Sequence, residues 1–167
     1  MGARTLSSIV TTIQSAIQKV SAMAMELRPP SLDELGVMAT LEWYFREFQH
    51  RHPEIRVQSE VEIKEDEVSR SLKIIIYRII QETLENLAKF SLTNQVSIQL
   101  KSMGSNIVLA IEDNGRMYSS GDTVANKSEE KRIWLFAIEE RAVMSGGTVS
   151  SVSGNSGGWR IQITWPG

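Results

Sequence analysis

The sequence predicts an α+β fold, a two-layer α/β sandwich in which helices cover one face of a sheet. Three observations predict it. A long helical period with a wide apolar face sits in mid-chain. Alternating apolar and polar runs surround it. The order helix, strand, long helix, hairpin, polar segment, helix, hairpin gathers the strands into one layer. The 167 residues suffice for one globular domain and one additional element. A hydrophobic content of 41% and a charged content of 23% are ordinary for a soluble chain.

The elements follow in order. Leu6, Val10, Ile13, Ile17, Val20, Ala24 and Leu27 keep an alternating four-three spacing, a narrow heptad seam suited to pairing with partner helices. Pro29 and Pro30 stop that helix. Ser31 to Glu34 reads as a capping box, opening a helix to about His50 with Leu35, Met38, Leu41, Phe45 and Phe48 on one side. Residues 55–63 mostly alternate, as a half-buried strand does. The long helix is expected from about Glu67 to Lys89, its apolar face running from Val68 to Leu87.

A hairpin follows, with Val96, Ile98 and Leu100 on one strand, Ile107, Leu109 and Ile111 on the other, and Gly104-Ser105-Asn106 turning between them. Residues from Arg116 to about Arg132 are polar without a period and read as a lid. A helix from about Ile133 to Met144 should stop at Gly146-Gly147, and strands near 148–152 and 159–165 close the chain.

Composition excludes several chemistries. Zero cysteines remove disulfides, thiolate catalysis and cysteine-ligated zinc. His50 and His52 have no ligand partner at metal-site spacing and read as a solvated helix end. A net charge of -2 and the absence of a basic, aromatic-interleaved run argue against a nucleic-acid partner. No secretory leader or membrane span is visible, so the expected location is cytoplasmic, without membrane contact.

Two constellations suggest chemistry. Glu82, Asn86 and Lys89 stand at steps of four and three, on one face of the long helix. A carboxylate, an amide oxygen and an ammonium there suit a magnesium-phosphate ligand. Asp113-Asn114-Gly115 ends a strand: the aspartate can accept from an exocyclic amine, and the glycine lets backbone approach a ring. Singly, the first is also any solvated helix face and the second a common turn. Their order along the chain is specific.

In that order the sequence resembles the ATP-binding domain shared by gyrase, the heat-shock chaperone, histidine kinases and mismatch-repair ATPases, the Bergerat-type fold. Within it, the likeness is to two-component sensor histidine kinases of the nitrate-sensor and lipid-fluidity-sensor type. Residues 26–36, Glu-Leu-Arg-Pro-Pro-Ser-Leu-Asp-Glu-Leu-Gly, are similar to the linker between dimerisation helices and catalytic domain. Residues 77–89 resemble the asparagine box, Asp113-Asn114-Gly115 the first glycine box, and residues 140–147 the segment after the second.

The resemblance implies ATP and magnesium as cofactors. It implies that Asn86 ligates the metal, Glu82 assists catalysis, Lys89 approaches phosphate and Asp113 reads adenine beside Gly115. It implies that residues 1–30 are the second helix of a dimerisation bundle and 31–167 the ATP-binding domain, with a response regulator as partner and self-dimerisation through the N-terminal helix.

The departures are as specific as the matches. Phe90 and Ser91 follow Lys89 where the family has histidine and alanine. Met117 and Tyr118 replace the rest of the first glycine box, and the late glycine-threonine is Gly158-Trp159. The second glycine box is replaced by Arg132-Ile133-Trp134-Leu135. Arg132 and Trp134 add bulk where backbone amides would close on phosphate, although Arg132 could offer it a charge. The phospho-acceptor histidine belongs before residue 1, and neither His50 nor His52 has its context. Two function classes follow: a catalytic ATP-binding domain serving a histidine outside this chain, or a degenerate domain that acts by dimerising or docking. An anti-sigma-type ATPase fits the heptad helix and linker less well.

Overall fold

The alternation read in the strands becomes the two faces of one sheet. The computed structural model describes residues 30–117, 125–153 and 158–167, with residues 9, 12 and 13; the rest of the heptad segment lies outside the described residues. Helix α1 (Pro30–Glu34) and α2 (Gly36–Arg51) lead to strand β1 (Arg56–Glu62), then a single 3-10 turn (Glu65–Glu67) and α3 (Arg70–Phe90). The short β2 (Ser91–Leu92), β3 (Gln95–Met103), β4 (Asn106–Asp113) and β5 (Arg116–Met117) follow, then α4 (Ala125–Met144), β6 (Thr148–Ser153) and β7 (Trp159–Pro166).

The main sheet has the order β1-β3-β4-β7-β6. β1 runs parallel to β3 and every other neighbour pair is antiparallel. Alternate residues on β3, β4 and β7 (Ile98, Leu100, Leu109, Ile111, Ile161 and Ile163) are fully buried and pack with α2 and α3 residues such as Leu41, Phe48, Ile76 and Ile80 in one core. The opposite face is polar: Gln99 donates to Glu60, Lys101 pairs with Glu60, and Arg160 pairs with Glu112. One face packed and one hydrated is the expected outcome for a largely antiparallel sheet. Among the described residues no helix is long and apolar enough to cross a membrane.

Three sequence expectations are corrected. Ser31 lies inside α1 and is not the cap of a continuous helix, because the fixed φ of Pro30 already opens helical geometry at that point. The chain breaks at Gly36, whose φ of +85° only glycine adopts freely. The long helix starts at Arg70, where Ser69 Oγ accepts from Leu72 N at 3.3 Å. Third, α4 begins eight residues before Ile133, so the C-terminal part of the expected lid is helical, and residues 118–124 lie outside the described residues. Residues 125–132 are mostly good helix formers without an apolar period, which hides the helix from a periodicity reading. Gly146 (φ +83°) does stop α4 as expected, with Gly147 N donating to Ala142 O.

The acidic run before α3 serves a different helix. Glu65 Oε1 accepts from Met38 N at 3.0 Å, capping α2 from 27 residues away, and Lys73 Nζ sits 2.6 Å from Oε2. Burial pushes the Glu65 carboxyl up, but Lys73 and the amides of α2 outweigh it and hold it below its ordinary range. The contribution of this cap is therefore complete at neutral pH and is lost as pH falls through the folded-state value. A Cβ on Gly36 would stand 2.5 Å from the Glu65 carboxylate. Gly36→Ala should cost about 1–3 kcal/mol through backbone strain and a displaced cap. A urea midpoint equal to the parent's would remove this account of the helix break.

Candidate functional site

The site is assembled where the C-terminal half of α3 meets the end of β4. Glu82, Asn86 and Lys89 all fall within α3, on the face their spacing dictates. Asn86 Nδ2 donates to Glu82 O at 2.7 Å, which commits the amide nitrogen and leaves the amide oxygen as the end offered to a ligand. Lys89 is exposed in the last turn. The Glu82 carboxylate is paired with Arg141 Nη1 of α4 at 2.7 Å, both side chains being about a third exposed.

Asp113 is 3% exposed and lies on the helix-covered face, in a cross-strand row with Val96 and Trp159. Three donors converge on it. Trp159 N donates to Oδ1 at 2.8 Å, while Ser91 Oγ and Gly115 N donate to Oδ2 at 3.0 and 3.1 Å. A buried carboxylate is tolerable only when hydrogen-bonded in this way. The glycines follow from the crowding. A Cβ on Gly115 would stand 2.3 Å from Ser91 Oγ, and one on Gly158 would stand 2.2 Å from Asp113 O. Asn114 completes the turn, its Oδ1 accepting from Thr93 Oγ1 and Gln95 N.

Trp134 is the unexpected occupant. Expected as bulk at the second glycine box, it is 7% exposed and meets the Trp159 ring edge-on, centroids 5.4 Å apart at 74°. Its Nε1 is buried and meets no acceptor among the described residues, a penalty of about 1–3 kcal/mol against the apolar gain of burying the ring. The side chain of Arg132 lies outside the described residues.

Of the sequence-derived candidates, the structure brings Asp113, Gly115 and Gly158 into contact and sets Glu82 and Asn86 one helical turn apart. Sequence reasoning missed Ser91, Trp159 and Arg141 as parts of this assembly. Ser91 and Trp159 stood out only as departures from a motif, and nothing local in the sequence pairs Arg141 with Glu82. A concavity of about 170 Å³ at the same end of the sheet is lined by Gln95, Ser97, Glu112 and Arg160 together with Asp113, Asn114, Gly158 and Trp159 of the carboxylate turn. None of Glu82, Asn86 and Lys89 lines it.

No protein-family model matches the chain. Over 134 residues it is 30% identical to the oxygen sensor histidine kinase NreB of Staphylococcus carnosus, an alignment covering 80% of this chain and 37% of that protein. The chain therefore spans little more than a third of the relative's length. The histidine kinase domain of a blue-light-activated histidine kinase from Erythrobacter litoralis superposes with a TM-score of 0.60 at 16% identity, over 93% of this chain and 84% of that one. The ATP-binding domain of PrrB from Mycobacterium tuberculosis gives a TM-score of 0.54 at 20% identity, over 74% and 88%. By descent this chain is related to the sensor histidine kinases, and its fold is that of their ATP-binding domain. The α3 face and the Asp113 turn are the two sides of the candidate site; α4 meets the first through Arg141 on Glu82 and packs Trp134 on Trp159, whose amide Asp113 holds.

Proposed function

We propose that this domain binds magnesium-ATP between α3 and the Asp113 turn and presents its γ-phosphoryl to a histidine outside this chain. The observation that carries the proposal is the Asn86 amide, whose nitrogen is tied to Glu82 O so that a hard oxygen donor is presented on the same face as Glu82 and Lys89. When bound, the nucleotide would supply the phosphoryl group. Asn86 would hold the metal, Lys89 would screen phosphate charge, Glu82 would orient or accept a proton from the incoming imidazole, and Asp113, flanked by Gly115 and Gly158, would face the base. Arg132 is a further candidate for a phosphate contact. Residues 1–30 would pair with a second copy as a dimerisation helix, 31–167 forming the ATP-binding unit. A response regulator would receive the phosphoryl group in the cytoplasm.

A second reading has its own observation. The carboxylate expected to assist catalysis is already in an ion pair with Arg141, and a tryptophan stands at the second glycine box. On that reading the domain is degenerate and regulates by dimerising or docking. Calorimetric titration with a non-hydrolysable ATP analogue, with and without magnesium, separates the two. The nucleotide reading expects saturable, magnesium-dependent binding that Asn86→Ala weakens by about tenfold or more, roughly 1.4 kcal/mol. Binding indifferent to magnesium and to Asn86→Ala would overturn the metal assignment.

A further inference from the structure

We propose that α4 is a self-latching plug, with Trp134 filling the base side of the nucleotide site and Arg141 locking the catalytic carboxylate until nucleotide displaces both. The inference rests on the nucleotide reading above and adds to it the regulation of that site. Trp134 and Arg141 are seven residues apart on α4, two turns along one stripe, so one movement of the helix withdraws both. At one end the Trp134 ring lies edge-on against Trp159, whose backbone N–H is held by Asp113. At the other end the Arg141 guanidinium binds Glu82, one turn from Asn86.

The plugged arrangement has a flaw that makes it reversible. The indole Nε1–H of Trp134 is buried with no acceptor among the described residues, so the packed state retains a donor that hydration would satisfy. The latch is likewise half-solvated, with Arg141 and Glu82 side chains 35% and 37% exposed. A ring displaced by a purine and an ion pair displaced by metal and phosphate are exchanges of like for like. Nucleotide affinity is then reduced by the fraction of molecules that are closed.

Arg141→Gln opens the latch at a partly exposed position, and Trp134→Ala removes the plug. Both should bind a magnesium-ATP analogue more tightly than the parent, Trp134→Ala by about tenfold or more. In fluorotryptophan-labelled parent chain, the fluorine resonance missing from Trp134→Phe identifies Trp134, and saturating analogue should shift it. Parent and both variants binding alike, with that resonance unmoved, would overturn the plug while leaving the nucleotide reading intact. Folded parent, Arg141→Gln and Trp134→Ala all failing to bind would remove the nucleotide reading, and the plug with it. The parent resonance needs no core substitution, so it decides the matter even if Trp134→Ala does not fold.

Discussion

Replacing Asp113 with alanine is expected to lower stability by about 3–5 kcal/mol, because it strips the acceptor from three donors at once. Those donors come from three separate places in the chain: Ser91 on β2, Gly115 just past β4, and Trp159 at the start of β7. Asparagine is the informative comparison. If its oxygen stays on Trp159 N, its amide nitrogen faces Ser91 Oγ and Gly115 N. The serine hydroxyl can rotate and accept; the glycine N–H cannot. Asp113→Asn should therefore cost about 1–3 kcal/mol from one unanswered backbone donor. Denaturant midpoints give both numbers, and a loss below about 1 kcal/mol for alanine would show that the carboxylate does not hold these strands together. Weak nucleotide binding by Asp113→Asn counts as loss of a base contact only after this structural cost has been measured.

Gly158→Ala should be nearly as damaging, at about 2–4 kcal/mol. The new methyl would stand 2.2 Å from the Asp113 carbonyl oxygen, which is main chain and cannot rotate aside. The start of β7 has to lift, and the Trp159 N to Asp113 bond goes with it. The two substitutions damage one assembly, so Asp113→Ala with Gly158→Ala should cost clearly less than their sum. Full additivity in thermal melts of the single and double variants would separate the glycine from the carboxylate. Near-ultraviolet dichroism offers an independent check, since the Trp134–Trp159 pair sits beside the substitution.

What the sequence made legible was what repeats. The wide apolar face of α3 and the strict alternation of Trp159, Ile161, Ile163 and Trp165 announced themselves by period, and both elements form, α3 starting three residues later than expected. The break at Gly36 was hidden because Leu32, Leu35, Met38 and Leu41 keep helical spacing across it, and the carboxylate that caps the new helix, Glu65, lies far along the chain. The ladder between β2 and β5 is two residues long, too short to carry any pattern. At the site, Glu82, Asn86 and Asp113 could be named from residue type and order. Their partners could not, because Asp113 is met by two backbone amides that every residue but proline possesses, and Glu82 by an arginine 59 positions away, 141 less 82. Trp134 was visible as bulk in the wrong place, while its inward packing on Trp159 needed the tertiary structure.

The place of β7 in the sheet has a consequence for how the domain is made. In chain order it is the last strand, yet it lies in the interior, between β4 and β6. While the polypeptide leaves the ribosome, α3 and the β3–β4 hairpin can form early from neighbouring residues, but β4 keeps an unpaired edge and β6 has no strand to join until residues 159–166 emerge. The same residues bring the Trp159 amide to Asp113. Assembly of the sheet and completion of the carboxylate's hydrogen bonds are therefore one late event, and a nascent chain halted before residue 159 would hold Asp113 with its Oδ1 unanswered by Trp159.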